Sequence, residues 1–433
     1  MRQPPRPMPD SAEYVSIGID QLQVGLFITL DLKWLDHQFL TNSFKIKDEK
    51  QLQELRALGL RTIRYDPRRS DRPPLPEASR PAEPPPPVVD NSAELAAIER
   101  KKARIERLQK LRQSVTQCEK QLVQAATTLK TINQTLYARP QECVKTAVDL
   151  VSRMADSLLV DKDLAIHAMN DKVAGEDVYF HSLNVSVLAM MLGKEMGLSR
   201  PEIGLTGLGA LFHDIGKTKI PDKILRKQTS LTPAEANFLA EHPRYGEEIG
   251  RTMKLPAPVI DIILHHHENL DGSGYPDHLD DRTLARPTRI VAIANCFDNL
   301  CNHVNPAKSL TPYEAVSHMF AKLRKQFDPN ALSVFIHSMG VYPPGTVVQL
   351  NDQLWGMVVS VNVHQPLKPV VLIYDPEVPK EEAILINLDE EPDFRVERTF
   401  RPTEIPREVF EYLSPRRRVT YYFGESTTEK PHV

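Results

Sequence analysis

The sequence predicts a mainly α-helical protein with a small α+β module ahead of its helices and a small β-rich extension behind them. Three observations lead to that class. Residues 141 to about 338 carry helix-length apolar patterns and three copies of one capping grammar. Residues 15 to 30 and the stretch beyond Gly340 alternate with the period of strands instead. A proline-dense segment separates the first strands from the first long helix. At 433 residues the chain exceeds the roughly 100–200 residues of one ordinary domain, so two or three are expected.

In chain order, VSIGIDQLQVGLFITL (15–30) reads as short strands broken by a turn at Gly25. Asp48 then caps a helix bearing Leu52, Leu55 and Leu58, and Gly59 ends it before the strand-like RTIRY. These elements form a small regulatory domain over 1–68. Residues 69–91 form a semi-rigid linker, because eight prolines fall between Pro73 and Pro87 and proline favours extended backbone. A long helix over 92–140 follows. Leu108, Val115, Leu122, Leu129 and Leu136 recur every seven residues, with Leu111, Cys118, Ala125 and Ile132 between them. Such a stripe suits a coiled coil pairing two copies through 92–137, and equally a helix packed on its own catalytic domain.

Within 141–338, SRPE at 199, TPAE at 232 and TPYE at 311 place a hydroxyl, a proline and a glutamate where a helix begins. Helices are therefore expected to start near 200, 233 and 312. From 339 to 433, TVVQL, GMVVSVNV, PVVLIYD and AILINL predict a β unit.

Composition excludes several classes. A net charge of -3 offers no broad field for nucleic acid or anionic membrane. No stretch reaches the roughly 20 apolar residues of a membrane span, and MRQPPRPMPDS has no apolar secretion core, so a cytoplasmic protein is expected. Cys118, Cys143, Cys296 and Cys301 are too few and too scattered for a disulfide framework.

The chemistry-bearing residues sit in a few short motifs of the helical domain. His181 follows Asp177 by one helical turn; LFHDIGK holds His213, Asp214 and Lys217; AEHPRYG holds His242; HHHE holds His266 and His267 beside His265; IVAIANCFDN holds Asn295 and Asp298. Several are flanked by apolar helix, and buried polar groups need partners. Imidazoles with carboxylates suit Fe, Mn or Zn. Asp214 is the best bridging ligand, having two oxygens to share. Two adjacent cations suit phosphoester chemistry, since together they can activate water, hold a phosphate and stabilise a departing oxygen. Lys217 is placed to offset phosphate charge.

HS at 181, HDIGK at 213, IPDKIL at 220, EHP at 241 and HHENLDGSGYP at 266 resemble, in order and spacing, the HD-GYP family of cyclic di-GMP phosphodiesterases over about residues 150 to 338. Residues 14 to 70 are similar to the small domain of unknown function that precedes such modules in some bacterial proteins. The resemblance implies an all-helical HD-type phosphohydrolase domain with two or three ions, most often iron or manganese. Its ligands fall on His181, His213, Asp214, His242, His266 and His267, with Lys217 toward phosphate. Asp177, or its neighbour Glu176, falls where some members recruit a third ion, and His265 falls outside the paired ligands. The loop Asp271–Pro276 would form the mouth, with Gly274 allowing close approach and Tyr275, Asp298 and Lys308 facing substrate.

The chain also departs from the family. Asn295 replaces a usual aspartate ligand, and VNPAK keeps only Lys308 of an arginine-bearing segment. The leading expectation is hydrolysis of cyclic di-GMP to linear pGpG and onward to GMP, within second-messenger signalling. Alternatives are a low-turnover cyclic di-GMP receptor with protein partners and an HD phosphohydrolase for another nucleotide.

Overall fold

The computed structural model describes residues 14–32, 39, 42–76, 106, 113, 120–160, 164–168, 177–227, 229–305, 308–362, 365–376, 378, 383–413 and 421–425. The chain divides into two units: Met1–Glu106 with Asp375–Pro379, and Arg107–Tyr374 with Lys380–Val433.

The first unit is an antiparallel sheet of β1 (Val15–Gly18), β2 (Phe27–Thr29), β3 (Ser43–Lys45) and β4 (Thr62–Asp66) in the order β1-β4-β2-β3, with helix α1 (Glu49–Ala57). Asp48 caps α1 by accepting from the Gln51 amide, and Leu52 and Leu55 are buried. Gly25 and Gly59 have positive φ, which lets the chain turn tightly where a side chain would be strained. Beyond β4 the backbone stays engaged, with the Asp71 and Leu75 amides donating to the Gly25 and Gln21 carbonyls. The module therefore runs past residue 68. Most of the proline-rich linker lies outside the described residues.

In the second unit, α2 (residues 120–135) leads into α3 (Pro140–Val160). Leu122, Ala125, Leu129, Ile132 and Leu136 are all buried in the main core. This half of the seven-residue stripe is buried against its own domain; Leu108, Leu111, Val115 and Cys118 lie outside the described residues. Near the end of α2, Tyr137 Oη lies 2.9 Å from Thr218 Oγ1. After β5 (Leu164–Ala168) come α4 (Asp177–Glu195) and α5 (Arg200–Phe212). Then follow α6 (Asp222–Leu225), α7 (Pro233–Ala240), α8 (His242–Thr252), α9 (Ala257–His265), α10 (Arg286–Cys301), α11 (Pro312–His318) and α12 (Pro329–Met339). From Leu183 to Leu192 almost every side chain of α4 is buried, so it is the central helix, packed on α5 and α10.

The three predicted capping boxes stand at Ser199, Thr232 and Thr311, opening α5, α7 and α11. Cys143, Cys296 and Cys301 are free thiols. Burial pushes Cys296 up to about 12 and Cys301 well above its usual value, which leaves both unreactive. Cys118 lies outside the described residues.

The extension is an antiparallel sheet in the order β10-β6-β7-β8-β9: β6 (Val347–Leu350), β7 (Trp355–Ser360), β8 (Val370–Ile373), β9 (Ile384–Asn387) and β10 (Val396–Phe400). Helix α13 (Arg407–Leu413) buries Val409 and Leu413 with Val347 and Met357. Strand β11 (Tyr421–Glu425) pairs with β5. Arg401 meets Glu314 Oε1 at 2.9 Å, while the other oxygen of Glu314 caps α11. No helix among the described residues is long and apolar enough to cross a membrane.

Candidate metal centre

Three helix ends converge on one carboxylate. His213 follows α5, His242 follows α7 and opens α8, and His266 follows α9. In each, Nδ1 lies against a carbonyl three residues back: Ala210 at 2.6 Å, Leu239 at 2.7 Å and Ile263 at 2.8 Å. Those carbonyls belong to last helical turns, where intrahelical donors run out. A carbonyl only accepts, so Nδ1 carries the proton and the neutral ring turns a bare Nε2 lone pair inward.

His181, one turn into α4, reaches the same place from another direction. Its Nε2 is 3.2 Å from His213 Nε2, and both are 3.4 Å from Asp214 Oδ2. On the other side, His242 Nε2 and His266 Nε2 are 3.3 Å apart and lie 3.3 and 3.7 Å from Asp214 Oδ1. His267 belongs to this second group. Asp214 thus spans two subsites, one formed with His181 and His213, the other with His242, His266 and His267. Lys217 Nζ lies 2.6 Å from Asp214 Oδ2 and keeps 30% of its side chain exposed.

These residues fit a pair of cations. Asp214 Oδ1 is buried without a hydrogen-bond donor, a costly state for a carboxylate oxygen. The inward nitrogens of His242 and His266 face each other with no proton fixed between them. A positive ion in each subsite would satisfy both groups, and a nitrogen and oxygen donor set suits a transition metal.

The electrostatics agree with that reading. Burial holds His213 and His267 below the usual histidine range and takes His266 down to about 3, so these rings are neutral at pH 7. Burial opposes charge on Asp214, but the Lys217 ammonium and the His181 hydrogen bond outweigh it and hold the carboxyl well below its ordinary value. For His181, burial is likewise outweighed: hydrogen bonds to Asp214 and Asp298 raise it to about 9.

A tight backbone approach makes the centre compact. A Cβ on Gly216 would collide with the His242 carbonyl oxygen, so only glycine lets the turn Ile215–Lys219 lie against the start of α8. Gly274 is equally constrained, because a Cβ there would meet Glu268 and Asn269 backbone. That contact seats the glycine loop on the histidine pair. The Tyr275 ring stacks on His267, centroids 4.6 Å apart and planes 16° apart, and burial pushes its phenol up.

Asp298 departs from its expected place at the substrate. It is fully buried behind His181: Oδ2 accepts from Nδ1 at 2.6 Å, and Oδ1 accepts from Asn184 and Asn302 at 2.7 and 2.9 Å. It therefore orients the His181 ring. Asn295, one turn earlier on α10, is buried with Oδ1 accepting from Asn299 at 2.7 Å. Lys308 is exposed after α10, its amide donating to the Asn305 carbonyl, and no contact ties its side chain to the centre. Asp177 opens α4, and its side chain and all of Glu176 lie outside the described residues.

Sequence reasoning missed Asn184, Asp261 and Asp277. His265 stands between the last two, its Nδ1 2.9 Å from Asp261 and its Nε2 3.2 Å from Asp277. Against burial, these carboxylates raise it. The spacing of four between Asp261 and His265 on one helix was a readable signal; the Asp277 contact was not.

Comparison with known proteins adds the following. The HD domain profile matches residues 153–331, and DUF3391, a domain of unknown function, matches residues 14–147. A cyclic di-GMP phosphodiesterase of Pseudomonas aeruginosa is 28% identical over 367 residues, covering 83% of this chain and 84% of its own. The cyclic di-GMP phosphodiesterase response regulator RpfG of Xanthomonas campestris is 34% identical over 35% of this chain and 41% of its own. The 3'3'-cGAMP-specific phosphodiesterase 1 of Vibrio cholerae is 36% identical over 28% of each chain. The chain thus spans most of the first relative and less than half of the other two. With its motifs in HD-GYP order and its histidines and Asp214 gathered as described, the chain carries an HD domain over residues 153–331 and, ahead of it, a DUF3391 domain over residues 14–147.

Proposed function

We propose that this chain is a metal-dependent phosphodiesterase that opens cyclic dinucleotides, with cyclic di-GMP as its substrate. The observation that carries the reading is Asp214, whose two oxygens address two groups of inward imidazole nitrogens beside a glycine-lined mouth. Relatives of this chain by sequence are phosphodiesterases for cyclic di-GMP or 3'3'-cGAMP.

Bound iron or manganese ions would supply Lewis acidity toward water and positive charge toward the phosphate. The protein's own groups prepare the rest. Backbone carbonyls fix His213, His242 and His266 in one tautomer, and Asp298 does so for His181, so no ring has to reorient on binding. Lys217, partly exposed beside Asp214, brings an ammonium to the phosphate. Tyr275 on His267 offers an aromatic surface to a base, and Gly274 leaves room for it. Hydrolysis adds water across one phosphodiester: a new phosphorus–oxygen bond forms, the bond to the 3′ oxygen breaks, and that oxygen leaves with a proton. The product is linear pGpG, and a second cut gives GMP.

The test is an anaerobic preparation loaded with iron or manganese, its metal content measured, and offered cyclic di-GMP, 3'3'-cGAMP and bis(p-nitrophenyl) phosphate. Turnover of cyclic di-GMP with two or three ions per chain is expected. A loaded protein that cleaves the small diester and leaves cyclic di-GMP intact would remove the substrate assignment. A second reading, a receptor that binds cyclic di-GMP with little turnover, is favoured by Asn295, a neutral residue at a family carboxylate position, and by the loss of arginines in VNPAK. Tight binding without product over hours would support it.

A further inference from the structure

The glycine loop that carries Tyr275 is held from two sides by side chains whose polar atoms touch none of the ligand nitrogens. From beneath, the buried carboxylate of Glu268 accepts from the Asp277 amide at 2.6 Å and the Leu279 amide at 3.1 Å. From outside, the Asp277 carboxylate takes Arg244 of α8 on Oδ1 at 2.7 Å and His265 of α9 on Oδ2 at 3.2 Å. His265 is itself held by Asp261, whose other oxygen accepts from Thr288 of α10 at 2.7 Å. The chain of contacts thus joins α8, α9 and α10 to one residue of the loop, two positions after Tyr275. Arg244 stands two residues after His242, and His265 one before His266, so the clamp grips the same backbone that fixes the ligands.

We propose that His265 and Asp277 are positioning residues: they lock the loop, and with it Tyr275, over the metal centre, and so set the grip on a large cyclic substrate without contributing to the centre itself. This rests on the reading of the site as a cyclic dinucleotide phosphodiesterase. The physical reason is reach. A loop seated on a ring stack and a few backbone contacts can shift by an ångström when its outer anchor is lost, and misplacement on that scale is felt strongly in an active site. Metal binding does not depend on the anchor, because no ligand nitrogen or oxygen is part of it. A small diester touches little of the loop, whereas a cyclic dinucleotide spans it.

The variants are His265→Phe, which keeps a ring and loses both contacts, Asp277→Ala, and His265→Gln, whose amide can restore one of the two. Metal stoichiometry and thermal midpoint are measured for each, together with kinetics on cyclic di-GMP and on bis(p-nitrophenyl) phosphate. Amide hydrogen exchange over residues 268–280 is measured as well. Expected results are unchanged metal content, faster exchange in the loop, and a KM for cyclic di-GMP raised roughly tenfold with kcat changed much less. The small diester should be cleaved as by the native protein, and His265→Gln should recover part of both exchange and KM. Native exchange in the loop of both His265→Phe and Asp277→Ala would overturn the proposal, and so would loss of metal in step with loss of activity. If the native protein turns over no cyclic dinucleotide, the substrate assignment falls by itself; the exchange measurement then still decides whether His265 and Asp277 hold the loop.

Discussion

At the scale of single residues, the centre depends on which nitrogen of each histidine holds its proton. Three rings are set by backbone carbonyls and turn a bare nitrogen inward, while the fourth, His181, is oriented by Asp298. Asp298→Asn should remove the anionic partner of His181 and lower metal affinity or activity roughly 10–100-fold, with the fold intact; metal titration followed by activity checks it. The same ring makes binding pH-dependent. His181 is raised to about 9 in the metal-free protein, so at pH 7 it must give up a proton to become a ligand. Apparent affinity should rise about tenfold per pH unit below that value, with proton release seen by calorimetry in buffers of different ionisation enthalpy. The sign for folding is separate. The raised pKa of His181 contributes stability to the metal-free protein that is full below 6.5 and lost as pH rises through about 9. His266, lowered to about 3, acts oppositely: its contribution is full above 6.5 and lost as acid approaches 3.

At the scale of elements, the decisive piece is α2. Half of its stripe is buried in the catalytic core, so Leu129→Ala should destabilise this unit by about 2–5 kcal/mol, leaving the sedimentation coefficient unchanged. Dissociation of a dimer by that variant would show instead that the stripe pairs two copies. The stripe was legible in the sequence, but its partner was not, because an apolar face specifies burial and not what covers it. The caps at Ser199, Thr232 and Thr311 were legible because capping is local, settled within four residues. The cluster around Asp214 could be read because imidazoles and carboxylates stood at the ends of apolar helices, where ordinary packing has no use for them. Asp298 and the His265–Asp277 contact could not, since the direction a side chain faces, or a loop's return onto a helix, is a tertiary outcome.

At the scale of the whole molecule, metal and fold are linked. Free metal at a hundredfold its dissociation constant should add about 2.7 kcal/mol per independent site, a rise of several degrees in the thermal midpoint of this unit, reversed by a chelator. The rise should follow the ligands, so that removing His181 affects one subsite and Asp214→Asn both. The capping role of the histidines carries this further. His213, His242 and His266 each finish a helix with one nitrogen and face the centre with the other, so coordination and the fraying of α5, α7 and α9 form one equilibrium. An emptied centre loosens three rods at the point where they meet, much as withdrawing a keystone slackens every rib of a vault together.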